Sequence, residues 1–149
     1  MNHWLMKSEP DVFSIDDLQK RKVSGWDGVR NYSARLNLKA MKRGDRAFFY
    51  HSSTGTPAIV GEMQVVRQAY PDQTQFHAES AYFDPAATPE NPRWFQVDVR
   101  FVKKFARPLT LPKIKATPPL KGMALLKYGR LSVQPVTAAE WTFIQKAVK

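Results

Sequence analysis

The sequence predicts an α+β fold, built as a small mixed β-barrel with short helices covering its openings. Residues 95–102 alternate between apolar and polar side chains, which is the pattern of a half-buried strand. Four further segments, residues 3–7, 47–52, 58–70 and 131–135, have strand character. The intervening segments are short and carry helix-capping residues. Strands therefore dominate, and the predicted helices are too short to form a layer of their own.

The strands are bounded by residues that end regular structure. Ser8–Pro10 ends the first strand, and the turn Gly55–Pro57 separates the second strand from the third. Residues 71–92 contain four prolines and several Asp, Asn and Thr residues, without clear periodicity. We interpret this stretch as a long ordered loop rather than a domain boundary.

Four helices are predicted from their starts. Ser14, followed by two acidic residues, is an N-cap for a short helix that ends before Gly25. Asn31 is a candidate cap for a helix over residues 32–41, and residues 111–116 form a third short helix. Thr137 and Glu140 have the spacing of a capping box that opens the last helix. Its apolar residues, at helical spacing, belong to the core.

Length and charge limit the classes of function. The 149 residues predict a single domain over residues 1–149, and 23 Lys and Arg against 13 Asp and Glu give a net charge of +10. This excess favours a polyanionic partner such as nucleic acid, while a merely soluble basic protein stays open as the alternative. The chain has no cysteine, which excludes disulfides, thiolate nucleophiles and cysteine-ligated zinc.

No targeting or membrane segment is evident. The first seven residues are too short and polar for a signal-peptide core, and no apolar run approaches the roughly 18–20 residues of a membrane span. We therefore expect no membrane partner. The expected location is the cytoplasm, meaning the bacterial cytoplasm or nucleoid, or the nucleus if the source is eukaryotic.

The segment Trp26–Tyr32 is the first candidate binding element. A Trp on a loop flanked by glycine offers an aromatic face for an unpaired base, but it is as often a core residue. Arg30 is a candidate phosphate contact. Asn31 either reads a base edge or caps the helix that follows it. Both alternatives stay open for Trp26 and for Asn31.

The end of the second strand is the next candidate. Alternation places Phe48, Tyr50 and Ser52 on one face and His51 on the other, which is poor geometry for a nucleophile and its base. Neither a Gly-x-Ser-x-Gly elbow nor a His-Glu-x-x-His pair is present. We favour hydrogen bonding at the strand end over catalysis, and we predict no catalytic residue, no metal and no cofactor.

Two further strand ends, Lys7–Pro10 and Arg130–Pro135, combine small polar side chains with a proline. Such ends present backbone and hydroxyl groups to the polar edge of a ligand. Two ordinary exits from strands into loops explain the same pattern.

Six segments together resemble the EVE domain family, in the family's order and over residues 3–148. They are Trp4–Pro10, Trp26–Asn31, Phe49–Ser52, Pro89–Trp94, Val97–Phe101 and Arg130–Val136. The resemblance implies a PUA-like fold, related to the YTH, ASCH and SRA readers of modified bases. It also implies a non-enzymatic module that binds DNA or RNA and takes a flipped modified base, 5-methylcytosine or an oxidised form, into an aromatic pocket.

The resemblance further implies a set of site residues. The base pocket comprises Trp26, Tyr50, Ser8, Asn31, Ser52 and Ser132. The rim and phosphate contacts are Lys7, Glu9, Arg30 and Arg130. Any effector protein is expected to act in trans.

Two other function classes stay open. An enzyme acting on a nucleobase or RNA would draw on Glu9, Asp27, Asp45 and His51, which lack metal-ligand spacing. A protein-interaction adaptor would use the loop Pro71–Pro92.

Overall fold

A computed structural model describes all residues, 1–149. It contains six strands, which are β1 (His3–Ser8), β2 (Val23–Gly25), β3 (Arg46–His51), β4 (Ala58–Pro71), β5 (Phe95–Thr110) and β6 (Val133–Val136). The five α-helices are α1 (Ile15–Arg21), α2 (Tyr32–Ala40), α3 (Leu111–Lys115), α4 (Ala124–Lys127) and α5 (Ala138–Ala147). Short 3-10 turns lie at Gln73–Phe76 and Pro118–Leu120.

The strands form one sheet in the order β2-β5-β4-β3-β1-β6. All neighbouring pairs are antiparallel except β1 and β3, which run parallel from His3 beside Arg46 to Ser8 beside His51. The pairing of β4 with β5 shifts register at several points, and these irregularities bend the two long strands.

Alternation along the strands gives the sheet two buried faces. Trp4, Met6 and Phe49 belong to a cluster of 18 buried residues, which helices α1 and α2 cover. Leu5 and Phe48 point to the opposite side, into a cluster of 14 buried residues that α3, α4 and α5 cover. Helices on both faces therefore bury apolar surface that would otherwise be exposed to water.

The helix starts follow the predicted capping chemistry. Ser14 and Asp17 form a capping box at α1, and Thr137 and Glu140 form another at α5. The side chain of Asn31 accepts a hydrogen bond from the Ala34 N–H at the start of α2. These contacts satisfy N–H groups that have no partner within their own helix.

The α+β class is confirmed, but closure of the sheet into a barrel is not. Strands β2 and β6 are the two edges of the sheet and are not paired with each other. Sequence inspection also missed β2, because its three residues lie beside glycine, and it missed the second half of β5. That half, from residue 103 onward, is rich in Lys and Arg on its exposed face and so lacks an apolar alternation. The longest helix, α5, has 10 residues, and none of the helices has the length and hydropathy needed to cross a bilayer.

Candidate ligand cleft

A cleft of about 680 Å³ opens where the parallel strands β1 and β3 end. This volume lies within the range of small-ligand sites, roughly 300–1,000 Å³. The chain after β1 and the chain after β3 are held together by a 3.0 Å hydrogen bond from the Ser52 N–H to the Ser8 carbonyl. The segment before β6 joins them, since the Lys7 N–H donates to the Ser132 carbonyl at 2.8 Å. Three segments distant in sequence therefore meet at this edge.

Nine of the ten predicted site residues line this one cleft. They are Lys7, Ser8, Glu9, Trp26, Arg30, Tyr50, Ser52, Arg130 and Ser132. The tenth, Asn31, lies at a smaller neighbouring depression that shares Arg130 with the cleft. The structure therefore brings together nine of the residues that the family resemblance implied, while the role of each side chain remains a prediction.

The two predicted aromatic walls come from opposite faces of the sheet. Trp26 is 6% exposed and packs edge-on against Phe49, with ring centroids 5.2 Å apart. Tyr50 is 3% exposed and belongs to the other core cluster. Both rings line the cleft, so they form its floor and at the same time belong to the core. Trp26 is therefore both a core residue and a residue that lines the cleft, so the two alternatives raised from the sequence do not exclude each other.

The loop that carries Trp26 is anchored by a buried carboxylate. Asp72 has no exposed surface and accepts hydrogen bonds from the Gly28 N–H at 2.8 Å, the Thr74 N–H at 2.8 Å and the Thr74 hydroxyl at 2.5 Å. Gly28 has φ of 81°, and an added Cβ would lie 2.7 Å from the Tyr82 ring. Glycine is thus required twice at this position, by its backbone conformation and by its neighbour.

The side chain of Arg30 binds the same buried Asp72 and its neighbours. Its guanidinium donates to Asp72, to Thr74, to the Val29 carbonyl and twice to the Tyr82 carbonyl. A guanidinium has five N–H donors, and these bonds use all of them. The side chain holds the loop in place, and a phosphate contact would require one of these bonds to break.

Asn31 acts as the N-cap of α2. Its amide oxygen accepts from the Ala34 N–H at 2.9 Å, which is the capping alternative raised from the sequence. This bond occupies the oxygen, while the amide nitrogen has no partner within the chain.

The hydroxyl groups that line the cleft differ in whether they already form a hydrogen bond within the chain. The Ser8 hydroxyl donates to the Phe13 carbonyl at 2.6 Å. The hydroxyls of Tyr50, Ser52 and Ser132 make no hydrogen bond within the chain although all three residues line the cleft. Burial raises the pKa of Tyr50, so its hydroxyl is the neutral, donating form at neutral pH. These three hydroxyls are available to a ligand.

Cations and one acidic residue surround the opening. The Lys7 ammonium donates to the Gly129 carbonyl at 2.7 Å, and burial lowers its pKa. Arg130 and Glu9 are exposed, and neither forms an ion pair. Exposed cations at a cleft mouth attract a phosphate backbone over distances of about a Debye length, roughly 8–10 Å at 0.10–0.15 M salt.

Two of the four residues considered for an enzymatic role, His51 and Asp45, have structural partners and lie outside the cleft, whereas Glu9 and Asp27 line it. The Nε2 atom of His51 accepts the Ile15 N–H at 3.1 Å at the start of α1, the strand-end role favoured above. Asp45 accepts from the Trp4 indole N–H at 3.0 Å, outside the cleft. No group of three or more His, Cys, Asp or Glu residues is placed to hold a metal ion.

Several lining residues were missed from the sequence. Phe13 and Tyr82 supply partly exposed aromatic surface, and Ser24 supplies a polar group. Tyr82 lies in the long loop, so only the fold shows that it covers Gly28. Asp27 was named from the sequence only as a residue that an enzyme would use, and not among the residues of the base pocket.

The fold and the cleft define a class, a basic α+β domain whose candidate binding site lies at the ends of two parallel strands. Comparison with known proteins gives the family: a sequence model of the EVE domain matches residues 2–147. The chain belongs to the EVE domain family, which confirms the resemblance drawn from its six segments.

Individual relatives agree with this assignment. Human thymocyte nuclear protein 1 is 44% identical over 162 residues, which is 96% of this chain and 72% of that protein. The structure of a hypothetical protein from Leishmania major is 51% identical with a TM-score of 0.96, covering 99% of this chain and 94% of that one. The human THYN1 protein, solved in complex with 5-methylcytosine-containing DNA, is 44% identical with a TM-score of 0.95, covering 100% and 98% respectively.

Proposed function

We propose that this protein is a non-enzymatic nucleic-acid-binding module that recognises a modified base, 5-methylcytosine or an oxidised derivative, flipped into the cleft. The cleft itself is the observation that carries the proposal. It combines apolar and aromatic surface with the three unpaired hydroxyls of Tyr50, Ser52 and Ser132. A planar base with a polar edge needs this combination.

The net charge and the human relative support the same proposal. A charge of +10 favours a polyanion, and the human THYN1 protein of nearly the same fold was solved with 5-methylcytosine-containing DNA. Flipping a base costs a few kcal/mol, and stacking that contributes about 1–3 kcal/mol per base offsets this cost. The partly exposed rings of Phe13 and Tyr82 provide stacking surface in addition to the buried floor.

Fluorescence anisotropy with two oligonucleotides that differ only in one 5-methyl group tests the base recognition. We expect tighter binding to the methylated strand. Tyr50→Phe removes one unpaired hydroxyl without emptying the core, and it should weaken binding to that strand by roughly 2- to 10-fold. Thr142→Ala, on the exposed side of α5, is the control and should change nothing. Equal affinity of the wild type for both strands would refute base recognition.

The salt dependence tests the rim separately. Arg130→Gln removes a cation at the cleft, while Arg107→Gln removes an exposed cation on β5 that does not line it. If Arg130 contacts one phosphate, its variant should make the negative slope of log K against log salt shallower by about 0.7–0.9. The change should be equal for modified and unmodified strands. The Arg107 variant should leave the slope unchanged. If both variants change the slope by the same amount, the phosphate contact is not specific to the cleft.

A further inference from the structure

The cleft contains a carboxylate that no other residue of the chain binds. Asp27 and Glu9 are the acidic residues that line it, and Asp27 lies directly between the floor residue Trp26 and the anchored Gly28. Asp27 forms no ion pair, and its side chain makes no hydrogen bond with another residue. Asp72 and Asp84 in the neighbouring loop are both paired. This contrast makes Asp27 a candidate acceptor for a ligand.

The backbone on both sides of Asp27 is held in place. The Trp26 N–H donates to the Val97 carbonyl at 2.8 Å, and the Gly28 N–H donates to Asp72 at 2.8 Å. Tyr82 lies against Gly28 and leaves no room for the loop to shift in that direction. The carboxylate is therefore presented from a fixed backbone, which reduces the entropy lost when a ligand binds.

The surroundings of Asp27 favour a hydrogen-bond donor as its partner. Partial burial raises the pKa of Asp27, and the nearby charge of Asp72 raises it further, while a hydrogen bond from its own backbone N–H and the charges of Arg30 and Arg21 act in the opposite direction. Both of these cations are held by other groups, Arg30 by the anchor and Arg21 by Ser24 and the Phe13 ring. A ligand N–H would therefore meet an acceptor that no side chain of the protein satisfies.

We propose that Asp27 accepts a hydrogen bond from the exocyclic amino group of the flipped base, so that the cleft selects an amino-pyrimidine over an oxo-pyrimidine. Cytosine and 5-methylcytosine carry an N4 amino donor, whereas uracil and thymine carry an O4 acceptor at that position. A carboxylate accepts from the amino group and repels the carbonyl oxygen. This inference rests on the proposed function, to which it adds a second recognition contact independent of the methyl group.

Four single-stranded oligonucleotides separate the two contacts. They are identical except for one central base, which is 5-methylcytosine, cytosine, thymine or uracil. The methyl axis compares 5-methylcytosine with cytosine and tests the proposed function. The amino axis compares 5-methylcytosine with thymine, and cytosine with uracil, and it tests Asp27. Each pair of the amino axis keeps the methyl group constant.

We expect wild-type protein to prefer the amino base by roughly 5- to 150-fold on the amino axis. Asp27→Asn has the same shape but presents both a donor and an acceptor, so its preference should fall to within about threefold. Asp11→Asn is the matched control because Asp11 is an exposed aspartate that does not line the cleft, and it should keep the wild-type ratio. Circular dichroism and thermal melts establish that each variant is folded.

The outcomes are distinct. Loss of the amino preference in Asp27→Asn, with the preference retained in Asp11→Asn, supports the inference even if the methyl axis shows no discrimination. An unchanged amino preference in Asp27→Asn overturns it, as does a wild-type protein that binds amino and oxo bases equally. Loss of binding to all four strands in folded Asp27→Asn also counts against it, because the residue would then act without selecting the base.

Discussion

Replacing Gly28 by Ala should destabilise the protein through two separable effects. At φ of 81° a residue with a Cβ is strained by about 1–3 kcal/mol. The new Cβ would also lie 2.7 Å from Cζ of Tyr82, whereas carbon atoms ordinarily pack at about 3.5–4.0 Å. Relieving such an overlap by moving neighbours costs roughly 1–3 kcal/mol. We therefore expect a loss of about 2–6 kcal/mol in the free energy of unfolding.

Gly44 provides the matched control for the backbone effect. It has φ of 96°, but an added Cβ would meet nothing within 4 Å. Gly44→Ala should therefore lose only about 1–3 kcal/mol, and the difference between the two variants measures the overlap with Tyr82. Urea denaturation gives both values. Tyr82→Ala combined with Gly28→Ala should recover the overlap part, which appears as a coupling energy in a double-mutant cycle.

The refuting result is specific. If Gly28→Ala and Gly44→Ala lose equal free energy, and the cycle shows no coupling with Tyr82, then the long loop does not press on the Trp26 loop in solution. The fixed position of Asp27 would then rest only on the hydrogen bonds of the Trp26 and Gly28 N–H groups. If the coupling is present, Gly28→Ala should also weaken binding to the methylated strand, because the shift falls on the residue next to Asp27.

Two further predictions concern buried and titrating groups. Asp72→Asn removes the charge of a fully buried acceptor and places an amide nitrogen against N–H donors, so it should cost about 3–5 kcal/mol in urea denaturation. Asp16→Asn, in an exposed ion pair, should cost at most about 1 kcal/mol, and equal losses would contradict the anchoring role of Asp72. Burial lowers the pKa of His51 from its ordinary value of 6.5, so the neutral ring that accepts the Ile15 N–H is favoured by folding. The unfolded chain then binds more protons, and the stabilisation is complete above pH 6.5 and is lost as the pH falls through the folded-state pKa. His51→Gln should flatten this dependence of stability on pH, and an unaltered dependence would contradict it.

Local chemistry was the part of the structure that the sequence could predict. Ser14 and Thr137 start helices by hydrogen bonds to residues three positions away, so the pattern and the structure coincide. The strand over residues 95–102 shows an alternating pattern because Val97 and Val99 point into a core cluster, whereas the polar side chains that alternate with them point away from it. Nine of the ten residues that the family resemblance implied for the site line one cleft, whereas the strand-end pattern alone had left ordinary exits into loops as the alternative.

Long-range contacts were the part that the sequence could not predict. Nothing near Asp72 indicates that its carboxylate binds Gly28, 44 residues earlier in the chain. The commitment of all five donors of Arg30 depends on the same fold, as does the position of Tyr82 over Gly28. A closed barrel would require β2 and β6 to pair, and these two edge strands of three and four residues do not. The three residues of β2 are too few to show a pattern, whereas β6 was predicted over residues 131–135.

The position of the cleft follows from the one parallel pair in the sheet. Strands β1 and β3 both end at the same edge, with Ser8 beside His51, and chains that leave parallel strands in this way open a crevice at the carboxyl ends. Because helices cover both faces of the sheet, each core cluster contributes one aromatic ring to the crevice, Trp26 from one and Tyr50 from the other. The floor is therefore as rigid as the core, while the cations at the mouth are exposed. This division predicts that salt and Arg130 change the affinity for all strands alike, whereas Tyr50 and Asp27 change the ratio between bases.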